Sequence, residues 1–178
     1  MRVISGELGG RKLVAPEGLT TRPTTDKVRQ AVFNSLGSMG VIEGAVVADL
    51  YAGSGALGIE ALSRGAERCI FVERDRAALH ALRENISALG LAQRATVHAT
   101  DVMAWVPAMR NVDIAFIDPP YAFDAWATLL PPPRSPCSTS TRTTSRLTFC
   151  ATRASSRVSA SKFQMVRSWV LKRIHASS

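Results

Sequence analysis

The sequence predicts a doubly wound α/β domain built on a parallel sheet, and three observations carry that prediction. Short apolar runs alternate with helical segments four times between Val46 and Ile117, the pattern of strands joined by crossover helices. The ends of these runs carry acids, Asp49, Glu73, Asp101 and Asp118. The first run opens into Gly53-Ser54-Gly55-Ala56-Leu57-Gly58, whose G-x-G-x-x-G spacing lets a backbone turn tightly, approach a ligand and pack a helix on a strand. In such sheets ligands bind outside the carboxyl ends of the strands, so the four acids are expected to converge on one crevice.

Taken in order, Arg2 to Val14 alternate loosely around Gly9-Gly10, which suits a small hairpin made basic by Arg2, Arg11 and Lys12. Thr24 or Thr25 is a fitting N-cap for a helix in which Val28, Val32 and Leu36 share one face, with Gly37 as its stop. Arg22, Lys27 and Arg29 near its start could meet a phosphate backbone or simply form a solvated outer face. Val46 to Asp49 read as a strand covered on both faces. Ile59 to Arg64 continue the helix after the glycine turn, and Cys69 to Val72 form a second buried strand ending in Glu73. That position, twenty residues past Gly53, suits a carboxylate that accepts hydrogen bonds from ribose hydroxyls. Arg76 to Leu89 form an amphipathic helix with Leu79, Leu82, Ile86 and Leu89 inward. Ala95 to Ala99 and Val112 to Ile117 supply the third and fourth strands.

Composition narrows the possible classes. The net charge is +8, yet the nine basic residues after Asp124 meet no acid there, while the body holds thirteen basic against fourteen acidic residues. The basic balance therefore belongs to the tail and says little about the body. Cys69, Cys137 and Cys150 follow no C-x-x-C spacing, and His80, His98 and His175 are scattered, so no metal site is expected. No apolar stretch is long enough to span a membrane, and the N-terminus lacks a signal-peptide core. A cytoplasmic, monomeric protein free of membranes is expected.

The glycine turn and Glu73 alone fit a dinucleotide oxidoreductase equally well, since both cofactor types carry a ribose. Asp118-Pro119-Pro120-Tyr121 separates the two readings. Two successive prolines fix φ and remove two donors, so the loop is stiff and its carbonyls point to a defined place. A carboxylate and a rigid carbonyl suit the two hydrogens of an exocyclic amino group, while an aromatic ring stacks on the base that bears it. Orienting that nitrogen toward an electrophile can supply roughly 7 kcal/mol or more of a barrier.

Together, Arg22-Pro23-Thr24-Thr25-Asp26-Lys27-Val28-Arg29, Asp49-Leu50-Tyr51-Ala52-Gly53-Ser54-Gly55-Ala56-Leu57-Gly58, Glu60-Ala61-Leu62-Ser63-Arg64-Gly65 and Asp118-Pro119-Pro120-Tyr121 resemble the RsmD family. The resemblance runs from about residue 3 to about residue 121. It implies a Rossmann-like methyltransferase sheet with an N-terminal hairpin and helix, using S-adenosylmethionine to methylate N2 of a guanine in small-subunit (16S) ribosomal RNA. By that resemblance Gly53, Gly55 and neighbouring backbone would hold the methionine end of the cofactor, with Asp49 and Tyr51 in the same site. Glu73 would take the ribose, and Asp101 with Val102 the adenine. Asp118, Pro119 and Tyr121 would handle the target base, and Arg11, Lys12, Arg22, Lys27 and Arg29 the RNA. Adenine-N6 methylation of DNA or RNA is the alternative within the class. A non-catalytic, ribosome-associated protein that binds S-adenosylmethionine is the alternative outside it.

The expected organisation is an extension over residues 1–40, a core over 41–130 and a Ser/Thr/Arg-rich tail over 131–178. The resemblance stops near Leu130, and the tail has too little apolar surface to fold on its own. Its abrupt loss of acids points to a shifted reading frame, with a natural basic RNA-binding tail as the rival. A sheet truncated there would leave an edge unpaired and the chain weakly stable.

Overall fold

The structure is a computed structural model that describes residues 1–16, 26–119 and, for the backbone alone, 148–151. Helix α1 (Asp26–Ser38) leads to β1 (Val46–Leu50), followed by α2 (Ala56–Ser63), β2 (Arg68–Glu73), α3 (Arg76–Ala88) and β3 (Ala95–Ala99). A short α4 (Val102–Trp105) and one 3-10 turn precede β4 (Ile114–Ile117), and β5 (Thr148–Ala151) is the last strand among the described residues. All neighbouring strands run parallel in the order β3-β2-β1-β4-β5. The chain steps outward from β1 to β3 and then returns to the other side of β1. The order therefore reverses between β1 and β4, and such a switch point opens a crevice at the carboxyl ends.

Strand alternation divides the core. Val47, Cys69, Phe71, Ile114 and Phe116 belong to one buried cluster with side chains of α1, α2 and α3. Ala48, Leu50, Val72, Ala115 and Ile117 belong to a second, with Val102 and the partly buried Met103 and Trp105. Apolar side chains on both faces explain why these strands read as continuous apolar runs. On α1, Val32, Phe33 and Leu36 turn inward, and the Phe33 ring lies 5.3 Å from that of Phe116.

The N-terminal segment forms an antiparallel bridge, Arg2 to Lys12, with Val3 and Leu13 buried beneath it. It is held to α2 by side chains. Glu60 accepts hydrogen bonds from the amides of Ile4 (2.7 Å) and Ser5 (3.1 Å), and the Ser63 hydroxyl oxygen accepts one from the amide of Leu8 (3.0 Å). Gly6 has φ +83°, and a Cβ there would fall 1.8 Å from the Ser63 carbonyl oxygen, so no other residue allows this approach.

Two details differ from the sequence expectation. Gly37 lies inside α1, which ends at Ser38, and the left-handed residue beyond it is Gly40, at φ +63°. Tertiary packing of Leu36 outweighs the modest helix penalty of an interior glycine. The edge beyond β4 is paired rather than open, because Thr148 to Ala151 form a strand there. Thr-Phe-Cys in that run have strand-favouring side chains, against the polar composition around them. The rest of the tail lies outside the described residues, as do the reading-frame question and Thr24 and Thr25.

Candidate functional site

The register sets the site. Leu50 of β1 is level with Val72 of β2 and Ile117 of β4. The next residues, Tyr51, Glu73 and Asp118, therefore leave the sheet side by side at its carboxyl edge. Asp101 follows β3 two residues after Ala99 at the same edge. Of the four acids expected to converge, Glu73, Asp101 and Asp118 lie at this edge, whereas Asp49 lies within β1.

Between β1 and α2 the chain turns through Tyr51 (φ 63°), Gly53 (φ 56°) and Gly55 (φ 83°), a run of left-handed backbone that costs an L side chain energy at each step. A Cβ on Gly53 would meet nothing within 4 Å, so the space above the turn is open. Beneath it there is none. A Cβ on Gly55 would lie 2.4 Å from Leu82 Cδ1, and one on Gly58 would lie 2.3 Å from Phe71 Cε1. The first glycine leaves room on the crevice side and the other two let α2 settle on the sheet.

Three acids hold this edge by accepting from backbone amides. Glu73 Oε2 takes Gly53 N–H at 2.9 Å, while Oε1 takes Arg74 N–H at 2.7 Å and Asp75 N–H at 2.9 Å. The ribose candidate therefore also ties the β1 turn to the β2 turn, and it remains half-buried, with one of its roughly four lone-pair sites left for a further donor. Asp101 caps α4 by accepting from Met103 N–H at 2.8 Å and pairs with Arg74 at 2.9 Å. Asp49 is different. It is 1% exposed, and its Oδ2 accepts from Gly58 N–H at 2.8 Å, so its side chain meets α2 and not a ligand. The sequence assignment of Asp49 to cofactor contact is corrected to support of the turn. Burial raises its carboxyl well above the usual range; the Gly58 hydrogen bond opposes this, and the charges of Asp118 and Glu73 add to the rise.

Val102 is 2% exposed, its side chain within the second core cluster, so only its backbone is available to a ligand. Tyr51 is half-buried, and burial raises its phenol above the ordinary value, followed by the charge of Asp101. Asp118 and Pro119 are half-buried at the end of β4, and Asp118 N–H reaches the Leu50 carbonyl at 3.5 Å. Tyr121 and Arg22 lie outside the described residues.

Of the RNA candidates, Arg11, Lys12 and Lys27 are exposed. Arg29 is not. Its side chain is fully buried, pairs with Asp26 at 3.1 Å and with Glu60 at 4.0 Å, and donates to the Arg2 carbonyl. Burial lowers the guanidinium pKa, the charges of Asp26 and Glu60 opposing that effect. Its assignment to RNA is therefore corrected: Arg29 joins α1, α2 and the N-terminal arm. Its neighbours Val28 and Val32 already share the apolar face, and a position between them could have signalled partial burial. Glu60 was quoted within a motif but given no role. Asn85, also unassigned from sequence, follows Leu82 by three residues and is 2% exposed on the inward face of α3. Among the described residues, no group of three or more His, Cys, Asp or Glu is placed to hold a metal.

A parallel sheet with its switch point at β1/β4, an open glycine turn and acids on successive strand ends defines a Rossmann-like fold, and the match to solved methyltransferases selects that class within it. Solved structures agree: a provisionally named methyltransferase of Escherichia coli, yhhF, superimposes with a TM-score of 0.63 at 37% identity, covering 72% of this chain and 68% of that one. A family profile described as "Conserved hypothetical protein 95" matches residues 1–131. Ribosomal RNA small subunit methyltransferase D of Escherichia coli (strain K12) is 40% identical over 121 residues, 68% of this chain and 60% of that protein. YlbH of Bacillus subtilis (strain 168), provisionally named an rRNA methyltransferase, is 46% identical over 125 residues, 68% of this chain and 67% of that protein. The chain belongs to this family, that of methyltransferase D, and the matches span 60 to 67% of those curated relatives.

Proposed function

We propose that the chain methylates the exocyclic N2 amino group of a guanine in small-subunit ribosomal RNA, with S-adenosylmethionine as donor. The observation that carries the reading is the register of Tyr51, Glu73 and Asp118 at the carboxyl edge, across the switch point. It supports reading Glu73 as a cofactor carboxylate on one side of the glycine turn and Asp118 as an amino-group acceptor on the other. The open space over Gly53 and the half-buried Glu73 carboxylate fit the cofactor. Gly53 and Gly55 backbone would hold its methionine end, Glu73 its ribose, and Asp101 with the Val102 backbone its adenine.

When bound, S-adenosylmethionine supplies an electrophilic methyl group. The chain's own residues do the rest by orientation. Asp118 and the Pro119 carbonyl accept the two amino hydrogens, which fixes the nitrogen lone pair toward the donor, and Asp118 takes up the proton released as the new N–C bond forms. Tyr121 stacks on the base. Arg11, Lys12 and Lys27 present positive charge to the phosphate backbone, with Arg22 assigned to the same task. Asp118→Ala tests the assignment. Transfer of labelled methyl groups to small-subunit RNA is expected to fall about 100-fold or more, with binding of S-adenosylhomocysteine unchanged. Undiminished transfer contradicts it.

A further inference from the structure

Asn85 occupies a position that the cofactor turn and the N-terminal arm share. Its side chain, 2% exposed, uses its donors and its acceptor on backbone groups. Oδ1 accepts from Val14 N–H at 2.7 Å, and Nδ2 donates to the Val14 carbonyl at 3.0 Å and to the Ser54 carbonyl at 3.0 Å. With Val14 it forms the two-way pairing of one peptide with another, which fixes both the direction of the amide and the path of the chain. Val14 follows the exposed Arg11 and Lys12, and Ser54 lies between Gly53 and Gly55.

We propose that Asn85 is a positioning residue that couples the arm to the glycine turn, so that cofactor and RNA each tighten the binding of the other. If the turn moves, the Ser54 carbonyl leaves the amide. If the arm moves, both Val14 bonds are lost. In either case a buried polar group is left unpaired, so one amide favours the turn and the arm in their ordered positions together. A ligand that orders the turn then lowers the cost of ordering the arm, and linkage makes the effect reciprocal. No neighbour can substitute, because the surrounding inward residues of α3, Ala81, Leu82 and Ile86, carry no polar side-chain atoms.

The inference rests on the proposed function, and the full-length chain tests both. S-adenosylhomocysteine affinity is measured by calorimetry, and small-subunit RNA affinity by titration with and without it. In the unmutated chain the ligand is expected to tighten RNA binding roughly fivefold or more. In Asn85→Ala that ratio is expected to fall to about one. Asn85→Asp keeps an acceptor for Val14 N–H but sets a carboxylate against two carbonyls, and it is expected to lose the ratio too. A ratio retained in either variant overturns the inference. Binding of both ligands to the unmutated chain without coupling overturns it and leaves the proposed function standing, whereas binding of neither overturns both. Should the variants fail to fold, hydrogen exchange in the unmutated chain decides: slower exchange of the Val14 amide on adding S-adenosylhomocysteine supports coupling, and an unchanged rate overturns it.

Discussion

Two glutamates thirteen residues apart, Glu60 and Glu73, show how one residue type serves opposite ends. Glu73 sits half-buried at the carboxyl edge and accepts from the amides of Gly53, Arg74 and Asp75. It fixes two turns while remaining partly exposed at the carboxyl edge. Glu60 is fully buried on α2, where Arg64 (2.7 Å), Arg29 and the Ile4 and Ser5 amides surround it. It closes an interior. The first arrangement leaves a surface that can recognise something; the second spends its charge on attaching the N-terminal arm. Position at a strand end, rather than charge, separates them.

The sharpest way to break this contrast is to remove each acid. Glu60→Ala strands the buried Arg29, whose Nε and Nη1 already have no hydrogen-bond partner, and is expected to cost roughly 3–5 kcal/mol of stability by urea denaturation. A loss below about 1 kcal/mol would show the network to be dispensable. Gly55→Ala should cost less, roughly 2–3 kcal/mol, because its Cβ enters the Leu82 side chain at a left-handed φ of 83°. Equal stability of that variant and the unmutated chain would mean the turn is softer than drawn. Glu73→Gln should cost about 1–2 kcal/mol, because both carboxylate oxygens accept backbone N–H groups and the amide nitrogen must face at least one of them, and should weaken S-adenosylhomocysteine about tenfold by calorimetry. Unchanged affinity would remove Glu73 from the cofactor site.

Asp49 lies between these extremes and predicts a pH effect. Its folded carboxyl is raised above the unfolded value of about 3.9. The protonated form therefore stabilises the fold below that pH, and the contribution is lost as pH rises through the folded value. Asp49→Asn keeps an acceptor for Gly58 N–H and removes the titration, so it should gain on the unmutated chain as pH rises from about 4 toward neutrality. A stability difference independent of pH would refute this. The smallest effect belongs to the arm: Lys12→Ala should lower the salt dependence of RNA binding by about one phosphate contact. An unaltered salt slope would place Lys12 off the RNA.

The sheet was legible because strand-ending acids and apolar runs report local geometry directly. The convergence of Tyr51, Glu73 and Asp118 follows from register in a parallel sheet, which alternation with helices already implies. Asp49 and Arg29 were misread for one reason. A charged side chain near a motif looks like a contact in one dimension, and only packing shows whether solvent reaches it. Asn85 was hidden differently, since an amide within an apolar helical face gives no hint of which backbone it will meet. β5 escaped because a four-residue strand is too short to stand out in a Ser/Thr/Arg-rich segment.

The central claim is methyl transfer to guanine N2 at the β1/β4 crevice. Small-subunit RNA incubated with the unmutated chain and S-adenosylmethionine, then digested to nucleosides and analysed by mass spectrometry, tests it most directly. The account predicts N2-methylguanosine, abolished by Asp118→Ala. N6-methyladenosine as the product, or no methylated nucleoside from a chain that binds the cofactor, would contradict it.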